Sequence, residues 1–463
     1  MKIAICASEV VPFAKTGGLA DVGGALPAAL EKLGQKVIVI MPLYKAVRAQ
    51  KAVKITPLKE GVWVSKLGKD VKVYLIENDA YFGRDGLYGD KSGDYPDNLD
   101  RFVFFNKRAL ELMKELDFRP DVVHCHDWQT GLIPVYLKTA YAGDAFYKKT
   151  KSLLTIHNIG YQGLFPKDQY AKLGLDWSLF NPEGLEFYDK INLLKAGIVY
   201  ADVVNTVSRT YANEIQTKEF GFGLEGVLRK RQGSLFGIVN GIDYSIWNPK
   251  TDGFIARKFS VETFRDKAKN KADLQKACCL PVKADVPVFG IVSRLAEQKG
   301  FDIIAQGIDE ICQMGLQLVI LGAGDLKYQM LLEEMMRKYP GVVSLNLGFN
   351  DPLAHKIYAG SDAFLMPSKY EPCGLGQLIS FAYGTVPVVY KTGGLADTVT
   401  PKTGFVFDLY SGPELVKTVK KAVAKFASKK PWEEMAVRGM KLDFSWDESA
   451  KQYVCLYDKA ISG

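Results

Sequence analysis

The sequence predicts an α/β protein made of two doubly wound domains, each built on a parallel sheet. Short apolar runs without polar alternation, such as IAICASEV (3–10) and VIVIM (37–41), recur along the chain. Such runs are typical of parallel strands covered by helices on both faces. The strand–helix rhythm breaks at 240–249 and then restarts, and the heptapeptide KTGGLAD occurs at both 15–21 and 391–397. Two similar domains explain both observations.

The first domain opens with a strand, a glycine loop at Gly17-Gly18, a helix that Gly34 ends, and a second buried strand closed by Pro42. The helix carries apolar residues at helical spacing, so these elements form one βαβ unit. The other elements expected in this domain are strands at 121–126, 152–157 and 202–207, an amphipathic helix at 101–117, and a long loop at 79–100.

The second domain follows a Lys-rich, weakly patterned segment. It is predicted to contain strands at 286–292, 316–322, 342–348, 363–368 and 386–390, with a helix from about Phe301. The second heptapeptide follows the last of these strands, at the same strand-to-helix corner as the first. Ligands of open α/β sheets bind at the carboxyl ends of the strands, so both corners are candidate binding positions.

The composition indicates a soluble globular protein, with 48% hydrophobic and 24% charged residues among 463. No apolar run approaches the ~20 residues of a membrane-spanning helix, and the first residues do not resemble a secretory signal. The seven cysteines are scattered, which favours reduced thiols in the cytoplasm. The net charge of +8 comes from dispersed lysines without interleaved aromatic residues, so we expect neither nucleic-acid nor membrane binding.

The two glycine corners are candidate anion sites, because glycines there expose backbone N–H groups at a helix N-terminus. A tight turn is the alternative, but a turn requires only the glycines and not the shared Lys, Thr and Asp. Lys15 could add a positive charge beside Gly18. No GxxxxGK[ST] occurs, and GAG at 322–324 lacks the third glycine of a dinucleotide fingerprint.

Two further loops of the second domain carry charge. Arg294 and Lys299 stand five residues apart in SRLAEQKG, a spacing that suits a diphosphate, although solvated loop charges are an equally good interpretation. Glu371 precedes Pro372 and Gly374 at the start of a predicted helix, where a carboxylate and backbone amides could bind a sugar and a phosphate.

His124 and His126 alternate on one strand, and His-x-His can bind a metal. The chain has only four histidines and no Cys-x-x-Cys to complete a tetrahedral site, so hydrogen-bonded histidines are favoured and no metal site is expected. Asp127, directly after this strand, is better placed for a role in a binding cleft. His157 ends another strand, but a lone histidine there indicates no particular role.

Together these motifs resemble the bacterial glycogen synthase and plant starch synthase family. The residues that carry the resemblance are KTGGLADV (15–22), YPDNLDRF (95–102), HCHDWQT (124–130), TIHNIGYQG (155–163), NGID (240–243), SRLAEQKG (293–300), YEPCGLGQ (370–377) and KTGGLADTV (391–399).

The resemblance implies the B-type glycosyltransferase fold, with two Rossmann-like domains facing each other across a deep cleft. The implied domains are 1–243 on the glucan acceptor side, 244–440 on the nucleotide-sugar donor side, and a helix over 441–463 that crosses back to the first domain. The implied reaction transfers glucose from ADP-glucose to the non-reducing end of glycogen or another α-1,4-glucan, with retention. Neither a metal nor a cofactor is implied, since ADP-glucose is a substrate.

The resemblance also assigns roles. Catalytic roles fall on Asp127, His157, Arg294, Lys299 and Glu371. Substrate-binding roles fall on Lys15, Gly18, Asp21, Tyr95, Asn240, Phe349, Cys373, Gly374, Leu375, Thr392 and Gly393. Gly376 departs from the family, which commonly has a Thr whose hydroxyl bonds a phosphate, so weaker donor binding is expected there.

Two alternatives stay open on sequence alone. The donor could be UDP-glucose, because the base pocket has no signature of its own. A glucan- or nucleotide-binding protein without turnover is the other, but such a protein would not need both a phosphate clamp and a sugar carboxylate. No carboxylate pair typical of retaining hydrolases is evident, which favours attack on the same face as the leaving phosphate.

Overall fold

The structure is a computed structural model that describes all residues, 1–463. The chain divides into two compact units, here called unit 1 (1–241 and 446–463) and unit 2 (242–445).

Unit 1 is built on a nine-stranded sheet that is parallel except at one edge. Its strands, together with those of two small antiparallel sheets, are β1 (Lys2–Cys6), β2 (Lys36–Pro42), β3 (Thr56–Lys59), β4 (Val62–Leu67), β5 (Val71–Ile76), β6 (Gly89–Asp90), β7 (Gly93–Asp94), β8 (Val122–His126), β9 (Lys151–Ile156), β10 (Leu164–Pro166), β11 (Glu186–Phe187), β12 (Lys190–Asn192), β13 (Val203–Thr206) and β14 (Leu235–Gly237). The large sheet has the order β14-β13-β9-β8-β1-β2-β5-β4-β3, and only β3 and β4 run antiparallel to their neighbours.

The helices of unit 1 cover both faces of the large sheet, which is why its central strands are almost entirely buried. They are α1 (Gly18–Lys32), α2 (Lys45–Ala49), α3 (Asp79–Phe82), α4 (Asn98–Glu115), α5 (Leu132–Lys138), α6 (Leu193–Tyr200), α7 (Arg209–Glu214) and α8 (Glu225–Lys230).

Strand β1 lies between β2 and β8, with Cys6 in register with Ile40 on one side and Cys125 on the other. The chain therefore leaves β1 in one direction and later returns to pair with its opposite edge. Such a reversal leaves a crevice at the carboxyl ends of the strands, where open α/β sheets bind ligands. The loops that follow β1, β8 and β9 meet at this position.

Unit 2 repeats the architecture on a smaller scale, with six parallel strands in the order β17-β16-β15-β18-β19-β20. The strands are β15 (Val288–Val292), β16 (Gln317–Gly322), β17 (Val343–Leu347), β18 (Ala363–Met366), β19 (Val386–Tyr390) and β20 (Phe405–Phe407). The helices are α9 (Lys267–Ala277), α10 (Phe301–Cys312), α11 (Leu326–Lys338), α12 (Asp351–Gly360), α13 (Gly376–Ala382), α14 (Gly393–Thr398), α15 (Gly412–Phe426) and α16 (Lys429–Met440). The strand order reverses between β15 and β18.

The last helix, α17 (Trp446–Ser462), packs on the sheet of unit 1 although it comes after unit 2 in the chain. The Tyr457 hydroxyl lies 2.9 Å from Nδ1 of the buried His124, and Asn205 donates to the Tyr453 hydroxyl at 3.3 Å. Ser449 donates to the carbonyl of Val239 at 2.8 Å. These bonds satisfy polar groups inside unit 1 that would otherwise be buried without partners.

The predicted fold class is confirmed, since both units are doubly wound Rossmann-like domains. The expectation of a long loop at 79–100 was wrong in part, because α3, the β6–β7 hairpin and the start of α4 lie within it. Helix α9 lies in the Lys-rich segment that had no predicted helix; Lys267 and Leu274 are among its buried residues. No helix is both long and apolar enough to span a membrane.

Candidate active site

The loop after β1 carries the first heptapeptide and is held by a buried carboxylate, Glu9, which is 4% exposed. One carboxylate oxygen accepts hydrogen bonds from the backbone N–H groups of Thr16 and Gly17, the latter at 3.2 Å. The other accepts from the Thr16 hydroxyl at 2.6 Å and from the Tyr88 hydroxyl at 2.7 Å. Four hydrogen bonds from neutral donors thus compensate the burial of this carboxylate.

The glycines of this loop divide into two kinds. A Cβ added to Gly17 or Gly18 would meet no atom within 4 Å, and Gly17 has an extended φ of −149° that any residue adopts. A Cβ on Gly23 or Gly24 would instead lie 2.7 Å from the Glu9 carbonyl and 2.5 Å from the Val11 carbonyl. The second pair lets α1 pack closely on the loop, whereas nothing in the fold requires the first pair. The open space beside Gly18 suits a ligand that approaches the backbone.

Lys15 and Asp21, on the same loop and helix, form an ion pair of 2.7 Å at the surface. The Lys15 side chain is 54% exposed, so its charge is accessible to an anion. Lys15, Gly18 and Asp21 therefore lie together at the end of β1.

Asp127 follows β8 in a strained conformation, with φ 54° and ψ −168°. This region is nearly restricted to glycine, and strain of this kind is often found at functional sites. The carboxylate of Asp127 accepts a hydrogen bond of 2.7 Å from the backbone N–H of His157, at the end of the neighbouring strand β9. Burial raises the pKa of Asp127 to about 8, against the opposing effect of backbone hydrogen bonds from His157 and Asn158.

The histidines on and directly after strands β8 and β9 are hydrogen-bonded to each other and to neighbouring residues. His126 Nδ1 lies 2.9 Å from His157 Nε2, and His124 Nε2 lies 2.6 Å from the Thr155 hydroxyl. Burial lowers the pKa of both His124 and His157 to about 3, so both rings are neutral near pH 7. A neutral His157 can donate or accept a hydrogen bond but carries no charge. Across the whole chain, no group of three or more His, Cys, Asp or Glu is placed to hold a metal ion.

A cavity of about 730 Å³ lies within unit 1, and its walls are largely aromatic. Trp128, which follows Asp127 in the chain, is one of six aromatic residues in the wall; the others are Tyr95, Tyr161, Phe165, Phe187 and Phe222. Tyr88, which donates to Glu9, also lies 6.5 Å from the Trp128 ring. The cavity wall and the first heptapeptide loop are therefore connected through one tyrosine.

Asn240, at the end of unit 1, is 4% exposed, and its Oδ1 is buried without a hydrogen-bond partner. His126 Nε2 is unpartnered in the same way. Unsatisfied buried polar atoms are rare in folded proteins and point to a bound group or water.

In unit 2, the predicted phosphate and sugar groups meet at the reversal of strand order. Lys299 Nζ and Glu371 Oε2 form an ion pair of 2.5 Å, with side chains 17% and 9% exposed. Ser368 also donates to this carboxylate oxygen at 2.9 Å. A cavity of about 230 Å³ is lined by both residues, together with Ser293, Leu375 and Gly376.

The backbone brings the two charged loops together. Gly300 has φ 82°, and a Cβ there would lie 2.1 Å from the carbonyl of Pro367, so this position needs a glycine. The backbone N–H of Lys369 donates to the Gln298 carbonyl at 2.9 Å. Arg294, on the same loop as Lys299, is exposed and donates to the Gln298 side chain at 3.1 Å.

The second heptapeptide does not expose its glycine amides as the sequence suggested. The backbone N–H of Gly394 donates to the Glu371 carbonyl at 3.0 Å. A Cβ on Gly393 would lie 2.0 Å from that carbonyl, and one on Gly394 would lie 1.9 Å from the Cys373 carbonyl. Gly393 also has φ 42°, and Thr392 is 1% exposed. This copy therefore packs against the loop that bears Glu371 and fixes its position.

Cys373, Gly374 and Leu375 continue this loop into α13. Gly374 has φ 71°, and its carbonyl accepts a hydrogen bond of 2.9 Å from the buried Gln377 side chain. A Cβ on Gly376 would lie 2.8 Å from the Phe364 ring and 3.3 Å from the Met366 sulfur. The Cβ of a threonine at position 376 would therefore be crowded by the Phe364 and Met366 side chains. This crowding is a packing reason for glycine at this position.

Phe349 lies in the loop after β17, the edge strand of the unit 2 sheet, and is 92% exposed. That loop is joined to the one after β16 by a hydrogen bond from the N–H of Gly348 to the Gly322 carbonyl, 3.0 Å. The loop after β16 in turn contacts Leu295, beside Arg294. The loop after β16, residues 322–325, therefore lies between the loop that carries Phe349 and the loop that carries Arg294 and contacts both.

Sequence reasoning missed four residues of these sites: Glu9, Tyr88, Ser368 and Gln377. Glu9 lies in what the sequence presents as an apolar strand run, and only its contacts show that it holds a loop eight residues later. Ser368 was assigned to a strand end, but its hydroxyl faces Glu371.

Comparison with known proteins identifies the family of this chain. Residues 2–230 match the family described as the starch synthase catalytic domain, and residues 280–436 match the glycosyl transferases group 1 family. Glycogen synthase of Geotalea uraniireducens is 50% identical over all of this chain and 99% of its own length, and glycogen synthase of Thermosipho melanesiensis is 46% identical over the same shares. This chain belongs to the glycogen and starch synthase family of glycosyltransferases.

A solved relative of this glycosyltransferase family has the same fold throughout. The catalytic domain of starch synthase IV from Arabidopsis thaliana, bound to ADP and acarbose, superimposes with a TM-score of 0.90 at 32% identity, over 100% of this chain and 99% of that one. A sucrose-phosphate synthase from Thermosynechococcus elongatus, at 18% identity and a TM-score of 0.63, shares the fold. The chain is therefore an enzyme of the B-type glycosyltransferase fold.

We predict opposite effects for two glycine-to-alanine changes on the same helix. Gly18→Ala should leave the unfolding free energy unchanged, because its Cβ enters open space, but should slow glycosyl transfer roughly 10- to 100-fold by displacing the substrate. Gly24→Ala should destabilise the protein by about 1–3 kcal/mol through overpacking on Val11. Urea denaturation and initial rates measure the two effects. Equal loss of stability in both variants would contradict the assignment.

A second prediction concerns pH. Because the folded-state pKa of Asp127 is raised to about 8, folded protein keeps a proton that unfolded protein releases near pH 4, so this residue destabilises the fold increasingly between pH 4 and 8. Asp127→Asn should therefore increase stability more at pH 8.5 than at pH 5. Urea denaturation at both pH values checks this, with Asp121→Asn, directly before the strand that Asp127 follows, as a control. A gain that is independent of pH would contradict it.

Proposed function

We propose that this chain transfers glucose from ADP-glucose to the non-reducing end of an α-1,4-glucan, with retention of configuration. The observation that carries this proposal is the Lys299–Glu371 pair at the strand reversal of unit 2, a cation and a carboxylate placed side by side in a cavity. A cation suits the diphosphate of a nucleotide sugar, and a carboxylate suits the hydroxyl groups of its glucose. The relatives, which include glycogen synthases and an ADP-bound starch synthase, support the choice of substrates.

We propose that binding of the nucleotide-sugar donor separates Lys299 from Glu371. The diphosphate would take Lys299 and the exposed Arg294, and Glu371 would then accept hydrogen bonds from the glucose. The loop of Cys373, Gly374 and Leu375 would cap the sugar. Phe349 is the accessible aromatic face on which the base can stack.

For the acceptor, we propose the aromatic cavity of unit 1. Its walls include Tyr95, Trp128 and Phe165, aromatic side chains that provide apolar surface for the apolar faces of glucose rings. Asp127 and His157 stand at the strand ends beside it, and Asn240 contributes an unpartnered amide oxygen. Lys15, Gly18 and Asp21 would bind substrate through the loop after β1, and Thr392 and Gly393 would act by holding Glu371 and its loop.

The mechanism is governed by charge. Breakage of the bond between glucose C1 and the phosphate oxygen leaves positive charge on the sugar and negative charge on the ADP. Lys299 and Arg294 stabilise the departing phosphate, which is the larger part of the catalytic effect. The incoming glucan hydroxyl attacks C1 from the side of the leaving group and gives its proton to that phosphate oxygen. A covalent glucosyl adduct on Asp127 or Glu371 would contradict this route.

The function is tested by incubating purified protein with ADP-glucose or UDP-glucose, with and without glycogen. We expect nucleoside diphosphate release and glucan extension together, faster with ADP-glucose, and little release without glycogen. Turnover with neither donor would end the proposal, and faster turnover with UDP-glucose would change the donor.

Lys299→Ala tests the phosphate clamp. It should reduce kcat roughly 100- to 1000-fold, the usual effect of removing one group that stabilises a developing negative charge. The matched control is Lys369→Ala, an exposed lysine of the adjoining loop that pairs with Glu297 at 3.4 Å and should keep near-normal kinetics. Similar kinetics in the two variants would remove Lys299 from the clamp.

A further inference from the structure

The segment 157–192, between β9 and α6, interrupts the strand–helix rhythm of unit 1 and carries seven aromatic residues. It forms the small antiparallel sheet β10-β12-β11 and two short 3₁₀ turns, Lys167–Leu173 and Trp177–Leu179. Tyr161, Phe165 and Phe187 line the acceptor cavity. Another group of aromatic residues in the segment does not line it.

This second group, here called the aromatic platform, consists of Tyr170, Trp177 and Phe180. The Trp177 and Phe180 rings stack at 4.8 Å with an interplanar angle of 29°. The Tyr170 ring is roughly perpendicular to both, with its centroid 5.0 Å from that of Trp177 and 5.4 Å from that of Phe180. Tyr170 is 2% exposed, whereas Trp177 is 58% exposed. The platform therefore has a buried base, Tyr170, and an indole that packs on Phe180 yet leaves more than half of Trp177 exposed.

The local backbone holds the platform in place. Asp176 accepts a hydrogen bond of 2.8 Å from the Ser178 N–H and caps the turn that bears Trp177. Its carbonyl also accepts from the Tyr170 hydroxyl at 2.8 Å. The N–H of Phe180 closes the turn onto the Trp177 carbonyl at 2.9 Å. An indole fixed in this way loses little conformational entropy when a ligand stacks on it.

The chemistry of the surroundings favours a sugar chain over a protein partner. The residues beside Trp177 in the chain, Asp176 and Ser178, are exposed and polar, and Trp177 is the one exposed aromatic residue of the platform. A stable protein interface buries about 800 Å² per partner, far more than this platform offers. A glucose ring needs one flat apolar face with polar groups at its edges. Gln169, next to Tyr170, lines the acceptor cavity, so platform and cavity adjoin in the chain.

We propose that the aromatic platform is a second glucan-binding site, separate from the acceptor cavity, on which Trp177 stacks against a glucose ring of the polymer. The identity of its ligand rests on the proposed function. A second contact with the same polymer raises the effective concentration of chain ends near the acceptor cavity. A branched polymer offers many glucose rings for the two positions, whereas a trisaccharide offers only three.

The test is native gel electrophoresis in gels that contain glycogen, with no donor present. Trp177→Ala should weaken the retardation of the protein by glycogen roughly three- to tenfold, the range of a single aromatic stacking contact. Trp177→Phe should retain most of the retardation, because it keeps a flat face. Leu58→Ala is the matched control, since Leu58 is 47% exposed on β3 of the same unit but belongs to no aromatic cluster. Initial rates with maltotriose as acceptor should be unchanged in Trp177→Ala.

Retardation equal to that of the unaltered protein in Trp177→Ala would overturn the proposal, and so would equal weakening in Leu58→Ala. Trp177→Gln, which keeps a long side chain without a ring, gives the same test if the alanine variant has a lowered melting temperature. Failure of the proposed function and failure of the platform proposal give different results. Binding that depends on Trp177, without transfer from any donor, would end the proposed function alone, and transfer with Trp177-independent binding would end this one alone.

Discussion

The ion pair between Lys299 and Glu371 is the interaction on which the site at the strand reversal of unit 2 depends. Both side chains are largely buried, and removing two charges from water is costly unless each has a partner. Backbone contacts hold the two loops that carry these side chains in place. Gly300 lies against Pro367, and the backbone N–H of Gly394 donates to the Glu371 carbonyl. In the proposed function, a diphosphate would replace Glu371 as the partner of Lys299, and a glucose would replace Lys299 as the partner of Glu371.

Unit 1 also buries a carboxylate, but there the hydrogen-bond partners are neutral groups. Glu9 is buried without a lysine or arginine and is satisfied by the Thr16 and Tyr88 hydroxyls and two backbone amides. It therefore holds the first heptapeptide loop without neutralising the charge of Lys15, which remains at the surface. The same heptapeptide thus has two uses. In the first copy the glycines leave space beside the backbone, and in the second they fill space against the Glu371 loop.

Local sequence pattern was enough to predict much of the fold. The parallel strands, the helices beginning near Gly18 and Phe301, and the position of each motif at a strand end were all accessible from apolar runs and glycine corners. Strand order was not, because it depends on contacts between distant segments, and the meeting of β1 with β8 is what brings Asp127 near the first heptapeptide. Helix α9 escaped prediction because most of its residues are polar and its buried lysines are satisfied only by tertiary contacts, such as those of Lys267 with the carbonyls of Ala359 and Tyr383. The roles of Glu9 and Gly394 are likewise properties of contacts, not of pattern.

The central claim is that the diphosphate of the donor replaces Glu371 as the partner of Lys299. The most direct measurement is a crystal structure of this protein with ADP bound. The account predicts phosphate oxygens within hydrogen-bond distance of Lys299 Nζ and of the Arg294 guanidinium, with the contact between Lys299 and Glu371 broken or lengthened. ADP bound away from both residues, with the ion pair intact, would contradict it.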